Sequence, residues 1–438
     1  MVKVLKFGGT SLASAEQFAK VAEIVRAEPE RRYVVASAPG KRFDGDTKVT
    51  DMLYDCYRLV KSNDPIDGAF DAIRARLQSI IDELGLALDL TPDFERVKSA
   101  LLHHSGRDYA ASRGEYFNAR ILAAYLGYDF IDAESVIFFK ENGTLDVEKT
   151  DAELAAALAK HERAVIPGFY GVMPNGTIKT FSRGGSDITG SIVARAVRAD
   201  LYENWTDVSG MLMADPRCVK NPRVIPTITY RELRELSYMG ATVLHEDAVF
   251  PVRQASIPIN IRNTNRPQDS GTMIVEHVAS NKVDTVITGV AGKPGFTVIA
   301  IEKDGMNAEI GFGRKVLEVL EENGLCFEHL PSGIDTMSVI VNDKDFAPKR
   351  EVIIDELQHQ TKPDSIYVYG GICLLAVVGR GMAGAKGTAS RIFNAIAAEN
   401  INIRMIDQGS SELNIIIGID EEDYVRALNA IYHEFVKD

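Results

Sequence analysis

The chain has 438 residues, 45% of them hydrophobic, with 49 Lys and Arg against 62 Asp and Glu. The length fits about two to three domains of a soluble globular protein, and a net charge of −13 without a basic stripe argues against nucleic acid as a main partner. The longest apolar run, near Ile372–Val378, is far too short to cross a bilayer.

Lys3 and Lys6 interrupt the first apolar stretch, which speaks against a signal peptide. Cys56, Cys218, Cys326 and Cys373 stand far apart with no C-x-x-C spacing, as expected of reduced core thiols in a cytoplasmic protein. Val2–Leu5 reads as a buried strand and Ser14–Arg26 as the helix that follows. Between them, Lys6-Phe7-Gly8-Gly9-Thr10-Ser11 combines a cation, two glycines and hydroxyls. Such a turn brings backbone N–H groups close to phosphate oxygens, with a helix N-terminus behind them. Val34–Ser37, Phe130–Ile131, Ala164–Pro167, Leu201–Trp205 and Ile259–Arg262 read as further short strands. Helical periodicity covers Asp51–Lys61, Phe70–Leu84, Gly114–Leu126, Asp151–Lys160 and Asp187–Arg198. A second glycine loop, Ser182-Arg183-Gly184-Gly185-Ser186-Asp187, opens the last of these helices. The alternation predicts an α/β sandwich around a mostly parallel sheet, with ligands gathering at the C-terminal ends of its strands.

The polar stretch Arg262–Gly271 approaches a boundary, and Gly292-Lys293-Pro294-Gly295 marks a second soft point. Beyond it the chain repeats at an offset of 77, as the positions of Glu322-Asn323-Gly324 and Glu399-Asn400-Ile401 show. At the same offset Ser332 meets Gly409, Asp335 meets Glu412, and Ser338 meets Ile415. Each copy reads strand, helix, strand, polar turn, strand. In the second copy Ala389, Ile392, Phe393, Ile396 and Ala397 form a helical stripe, and Leu413, Ile415, Ile417 and Ile419 alternate as a strand. Units this small bury little surface alone, so they are expected to pack with each other or with another subunit.

Two motifs are set aside. Gly379-Arg380-Gly381-Met382-Ala383-Gly384 fits a dinucleotide fingerprint, with Asp407 near the ribose-binding position. Too few residues follow Asp407 for a doubly wound domain, and the Gly409-Ser410-Ser411 turn predicts an antiparallel hairpin instead of a crossover. Gly40-Lys41 and Gly292-Lys293 lack the rest of a Walker loop. The eight histidines show no metal-ligand spacing; His103-His104 read as a surface pair on a helix, and no metal site is expected.

Taken in order, the two glycine loops, Trp205-Thr206-Asp207, Asp215-Pro216-Arg217 and the C-terminal repeat resemble an aspartokinase, an amino acid kinase domain followed by paired ACT regulatory domains. The resemblance implies a three-layer amino acid kinase sandwich over residues 1–285 and two ferredoxin-like ACT units, 286–365 and 366–438. It implies phosphorylation of the L-aspartate side chain by ATP with Mg²⁺. The product would be 4-phospho-L-aspartate, at the head of lysine, threonine and methionine synthesis. Because the chain ends soon after the second repeat, no dehydrogenase is expected to follow. A kinase of this fold acting on glutamate, and an amino-acid sensor with a decayed kinase domain, are the alternative readings.

By the same resemblance, Lys6 neutralises charge on the transferring phosphoryl group, with Gly8 and Gly9 cradling it. Asp187 holds Lys6 or organises the metal shell, or else caps the helix starting near Ile188. Arg183 suits an α-carboxylate through bidentate pairing. Glu115, read at a helix start, is the ammonium partner or a glutamate stabilised by the helix dipole. Thr10, Ser37, Thr50, Phe169 and Ser186 complete the acceptor pocket. Thr206, Asp207, Leu212, Arg217, Thr242 and Val243 fall at nucleotide positions. Leu212 stands where many relatives carry tyrosine, and Thr242 where they often carry lysine; Arg217 or Lys220 is expected to compensate. Met306, Gly313, Glu328, Asp335 and Ser338 are expected to bind an amino-acid effector, with lysine favoured because Glu328 and Asp335 suit a second ammonium. The alternative there is a solvated hairpin. A homodimer, or a dimer of dimers, through the ACT units is expected.

Overall fold

A computed structural model describes residues 1–182, 184–241, 244, 246–278 and 285–436. The chain divides into two units, Met1–Met211 with Val224–Tyr230 and Val243–Val278, and Leu212–Arg223 with Arg231–Thr242 and Ala279–Asp438.

The first unit begins with β1 (Lys3–Phe7), α1 (Ala15–Arg26), β2 (Arg31–Ala36), α2 (Val49–Lys61), α3 (Asp67–Glu83), α4 (Thr91–Leu102) and α5 (Arg107–Leu126). There follow β3 (Asp129–Phe130), α6 (Val147–Leu158), β4 (Ala164–Pro167), the hairpin β5 (Tyr170–Val172) and β6 (Ile178–Thr180), α7 (Gly185–Ala196) and β7 (Leu201–Thr206). After β8 (Thr227–Thr229) comes α8 (Tyr230–Tyr238), which lies in the second unit from Arg231 onward. Then come α9 (Glu246–Gln254), β9 (Ile259–Asn263) and β10 (Thr272–Val275). Eight strands make one sheet in the order β3-β4-β2-β1-β7-β9-β10-β8, parallel except where β10 meets β9. Val4, Leu5 and Phe7 of β1 are all fully buried. Such unbroken burial, without alternation, marks a central parallel strand covered on both faces. Helices α1 to α5 pack with one another, and α6, α7 and α9 with one another, as the two covering layers.

The expected first strand and helix are present, with the Ser14 hydroxyl accepting the Gln17 amide as the cap of α1. Sequence reading passed over α4 and the β5–β6 hairpin, whose three-residue strands leave no periodic signal. Two expectations need correction. His103 and His104 lie just past the end of α4, not within a helix, and both are exposed. The helix carrying Glu115 starts at Arg107, so Glu115 is mid-helix and takes no support from an N-terminal dipole.

The second unit contains β11 (Gly289–Glu302), α10 (Phe312–Glu322), β12 (Phe327–His329), β13 (Thr336–Asn342), α11 (Asp343–Phe346) and α12 (Arg350–Thr361). The second copy follows as β14 (Ser365–Val378), α13 (Thr388–Ala398), β15 (Met405–Asp407), β16 (Asn414–Asp420) and α14 (Tyr424–Phe435). Six antiparallel strands lie in the order β12-β13-β11-β14-β16-β15. The long strands β11 and β14 run through both copies: residues 296–302 of β11 pair with β13, and residues 372–378 of β14 pair with β16. Residues 365 and 366 therefore open a shared strand. Val316, Val319, Leu320, Ile299, Val339 and Ile353 fill the core of the first copy. Burying such a side chain is worth about 1.5–3 kcal/mol.

The fingerprint-like Gly379–Gly384 stretch forms a 3-10 turn at Arg380–Met382, and α13 starts only at Thr388. β15 and β16 form the expected antiparallel hairpin, and Asp407 binds His329 Nδ1 at 2.7 Å. Arg380 instead clasps Glu232 of α8. Its backbone amide is 2.9 Å from Oε1 and its guanidinium 3.0 Å from Oε2, while Thr288 donates to Oε1 at 2.5 Å. No described helix is long and apolar enough to cross a membrane.

Candidate active site

In the first unit the C-terminal ends of β2, β1 and β7, the N-terminus of α7 and the middle of α5 converge. Lys6, the fourth residue of β1, is 8% exposed, and its Nζ lies 2.6 Å from Asp187 Oδ1. The same oxygen accepts the Asn204 Nδ2 amide at 2.8 Å, and Tyr202 OH donates to the Asp187 carbonyl at 3.1 Å. Asn204 and Tyr202 lie on β7, hydrogen-bonded to β1. One buried ammonium is thus fixed by a carboxylate that is itself oriented by an amide. α7 begins at Gly185, after Gly184 in the left-handed region at φ 59°, so Asp187 sits inside the helix and is not its cap.

The glycine turn after β1 carries a correction. The Gly8 amide donates to the Trp205 carbonyl at 2.9 Å, so it is not available as the phosphate donor that the loop suggested. Gly9 is needed for close approach: a Cβ there would stand 2.9 Å from the Ala38 carbonyl oxygen. Gly40 faces it with equal tightness, a Cβ falling 2.6 Å from the Gly9 carbonyl carbon, and the Gly40 amide donates to Gly9 O at 2.8 Å. The loops after β1 and β2 therefore touch backbone to backbone.

Glu115 projects from α5 at 6% exposure. Burial pushes its carboxyl up to about 8, while a hydrogen bond from the Ala38 backbone, Arg113 and Lys6 pull the other way. Its Oε2 is buried without a hydrogen-bond partner among the described residues. One residue before it, a Cβ on Gly114 would lie 2.7 Å from Ala38 Cβ and 3.7 Å from Thr50 Oγ1, which brings Thr50 and the Ser37–Gly40 segment to this wall. Asn118 Nδ2 donates to the Ser37 carbonyl at 2.6 Å, and its Oδ1 is likewise buried and unpartnered among the described residues. Ser186 packs on Gly168, and Phe169, at φ 80°, packs on Gly185 and donates its amide to Thr189 Oγ1 at 3.0 Å. Thr10 follows in a single 3-10 turn, and Thr206, the last residue of β7, and Asp207 just after it have their side chains 3.2 Å apart.

Sequence reasoning missed Asn204, Asn118 and Arg113. Asn204 lies in a stretch read simply as a strand; Asn118 follows Glu115 at the i+3 helical spacing, which would have signalled it. Arg113 is buried among the rings of Tyr109, Tyr116 and Tyr170, 4.5–5.0 Å from their centroids.

Arg183, Thr242 and Val243 lie outside the described residues. Leu212 and Arg217 belong to the second unit, where Arg217 is held by Asp215 through Nη2 at 2.6 Å. There too, Met306 is buried beside Gly305, whose amide donates to Asp335 Oδ1 at 2.8 Å. Glu328 turns instead to the Tyr238 hydroxyl of α8. Gly313 lies in the first turn of α10, and the Ser338 amide on β13 donates to Pro331 O at 2.9 Å.

A buried ammonium beside a carboxylate, and a second buried carboxyl with an open oxygen, suit charge neutralisation and recognition of a cationic group. The amino acid kinase family profile matches residues 1–263, and an ACT domain profile matches residues 375–435. Aspartokinase 3 of Bacillus subtilis is 39% identical, over 99% of this chain and 98% of its own length. The crystal structure of aspartate kinase from Clostridium acetobutylicum, described as an allosteric enzyme, superposes with a TM-score of 0.93. It is 52% identical and covers 99% of this chain and all of that one. E. coli aspartokinase III, crystallised with aspartate and ADP, shares the fold at a TM-score of 0.74 and 22% identity, with 99% of both chains covered. Carrying both the kinase profile and whole-length similarity, the chain belongs to the aspartokinases of the amino acid kinase family.

Proposed function

We propose that this chain transfers the γ-phosphoryl group of ATP to the side-chain carboxylate of L-aspartate, giving 4-phospho-L-aspartate. The observation that carries the reading is Glu115, a buried carboxyl with an unpartnered oxygen close to the Lys6–Asp187 pair. An α-ammonium provides the missing partner; Arg183 takes the α-carboxylate, and Thr10, Ser37, Thr50, Phe169 and Ser186 enclose the acceptor. The attacking group is already an anion, so no general base is required. Positioning and charge neutralisation carry the chemistry, and Lys6 supplies a fixed positive charge. Mg²⁺ is proposed to arrive on the ATP phosphates as part of the substrate. Thr206, Asp207, Leu212, Arg217, Thr242 and Val243 keep their nucleotide role within this proposal. So does the division at 285/286 and 365/366 into a kinase domain and two ACT-like units.

Lysine is the proposed effector, bound near Met306, Gly313, Asp335 and Ser338, with Glu328 reached on release of Tyr238. The edge strands of the second unit carry exposed Phe327 and Ile406, which favours pairing of ACT-like units in an oligomer. The test is hydroxylamine trapping of acyl phosphate with Mg-ATP and either L-aspartate or L-glutamate, with and without L-lysine. Aspartate-dependent hydroxamate suppressed by lysine is expected. Glutamate preference would move the reading to another acceptor, and no turnover by folded protein would favour a decayed sensor.

A further inference from the structure

We infer that Arg76 is a positioning residue for the acceptor pocket, tying together both stems of the loop that joins β2 to α2. The inference rests on the reading of that pocket as an amino-acid site.

Arg76 lies on α3 among Phe70, Ile73, Leu77 and Ile80, all buried, at a place in the stripe where an apolar residue would serve. Its side chain is 6% exposed. Both of its terminal nitrogens are taken up by a single loop, while Nε is buried without a hydrogen-bond partner among the described residues. Nη2 donates to the Gly40 carbonyl and Nη1 to the Thr47 carbonyl. Nη2 also lies 3.3 Å from Asp46 Oδ2. Asp46 is gripped from the outside by Arg42, through Nε at 2.9 Å, Nη2 at 3.0 Å and the backbone amide at 2.9 Å. The loop tip, residues 41–45, is exposed.

The two stems are walls of the pocket. On one side Gly40 touches Gly9, and Ala38 supplies the backbone hydrogen bond to Glu115. On the other side the Val49 amide donates to the Pro39 carbonyl at 3.2 Å, and Thr50, in the first turn of α2, lies against Gly114. Arg76 therefore sets the separation of the Ser37–Gly40 wall from Thr50 without touching an acceptor. A planar fork can hold both carbonyls at once, whereas a lysine ammonium is a point charge on a flexible stem. The Lys6–Asp187–Asn204 group is built on β1, α7 and β7 and does not use this loop.

The test compares wild type with Arg76→Met, Arg76→Lys and the milder Asp46→Asn, reading steady-state kinetics and tryptic cleavage after Lys41 or Arg42. For Arg76→Met, KM for aspartate should rise about tenfold or more, since small misplacements of positioning groups have effects of that order. KM for ATP should stay within about twofold by the same reasoning. Arg76→Lys should recover little of this, and Asp46→Asn should move in the same direction by less. Cleavage in the loop should be faster in Arg76→Met than in wild type. An equal rise of both KM values, full rescue by lysine, or unchanged cleavage would overturn the inference. If Arg76→Met does not fold, Asp46→Asn decides: unchanged KM for aspartate together with unchanged cleavage refutes the claim. Absence of aspartate-dependent turnover in wild type counts against the function instead, and the cleavage comparison still judges the loop.

Discussion

Glu115→Gln is the perturbation that bears most directly on the site, because the charge state of Glu115 links stability to binding. Burial raises its carboxyl from 4.5 to about 8 in the folded, unliganded protein. Between those values the folded state keeps a proton that the unfolded chain has released. The folded state binds more protons there, so the contribution is full below 4.5, falls as pH rises and is lost once pH passes about 8. At about 1.4 kcal/mol per tenfold in proton affinity, the rise corresponds to about 5 kcal/mol. Glutamine has no proton to lose, so the variant should gain stability over wild type as pH rises, by several kcal/mol at most. Urea unfolding of both proteins at pH 5.5, 7 and 8.5 measures this directly. A stability difference independent of pH across that range would refute the buried-carboxyl argument, whatever the activity does.

Binding adds a second reading of the same group. An ammonium partner requires the ionised form, which is about one tenth of the unliganded protein at pH 7 if the group titrates near 8. Apparent affinity for aspartate should therefore improve about tenfold between pH 7 and 8.5. At pH 7 close to one proton should leave per aspartate bound, visible by calorimetry in two buffers of different ionisation enthalpy. Glu115→Gln should weaken binding and flatten the pH dependence. A wild-type KM that is flat over this range, without proton release, would remove Glu115 as the ammonium partner.

Lys6→Ala should lower turnover about 10²–10³-fold, as removal of a preorganised charge does, while leaving the unfolding transition in place; near-normal turnover would take Lys6 out of the mechanism. Glu232→Ala leaves the Arg380 guanidinium and Thr288 without their shared carboxylate, which is 0% exposed. Breaking such a buried pair typically costs about 3–5 kcal/mol, so a loss under about 1 kcal/mol in chemical denaturation would show that the clasp matters little. Glu328→Ala combined with Asp335→Ala should bring the ratio of activity with and without lysine to one, and retained inhibition would place the effector elsewhere.

Local structure was legible where several signals agreed. The strand and helix on either side of the first glycine turn and the hairpin after Asp407 all follow from residues within a few positions of each other. Glu115 was assigned through family resemblance, but its setting was misread because Gly114 looked like the start of a helix. The glycine is there because α5 passes so close to Ala38 that a Cβ would overlap it, a contact between residues far apart in sequence. Asp187 was open to two readings for a related reason: both roles suit an aspartate near a helix start, and only the position of Gly184 and the reach of Lys6 decide between them.

The residues that reading missed share a physical property. Asn204 sits in a core strand, Asn118 and Arg113 in the buried middle of α5, Arg76 in an apolar stripe and Glu232 at no exposure at all. Periodicity analysis counts each as a lapse in an apolar pattern. A polar group in such a position costs stability unless it is hydrogen-bonded, and here the partners these residues find are the parts that need holding. Asn204 holds the carboxylate of the Lys6 pair, Asn118 the Ser37 carbonyl, Arg76 the loop after β2, and Glu232 the turn at Arg380. A lapse in an otherwise apolar face is thus where this fold places its fastenings.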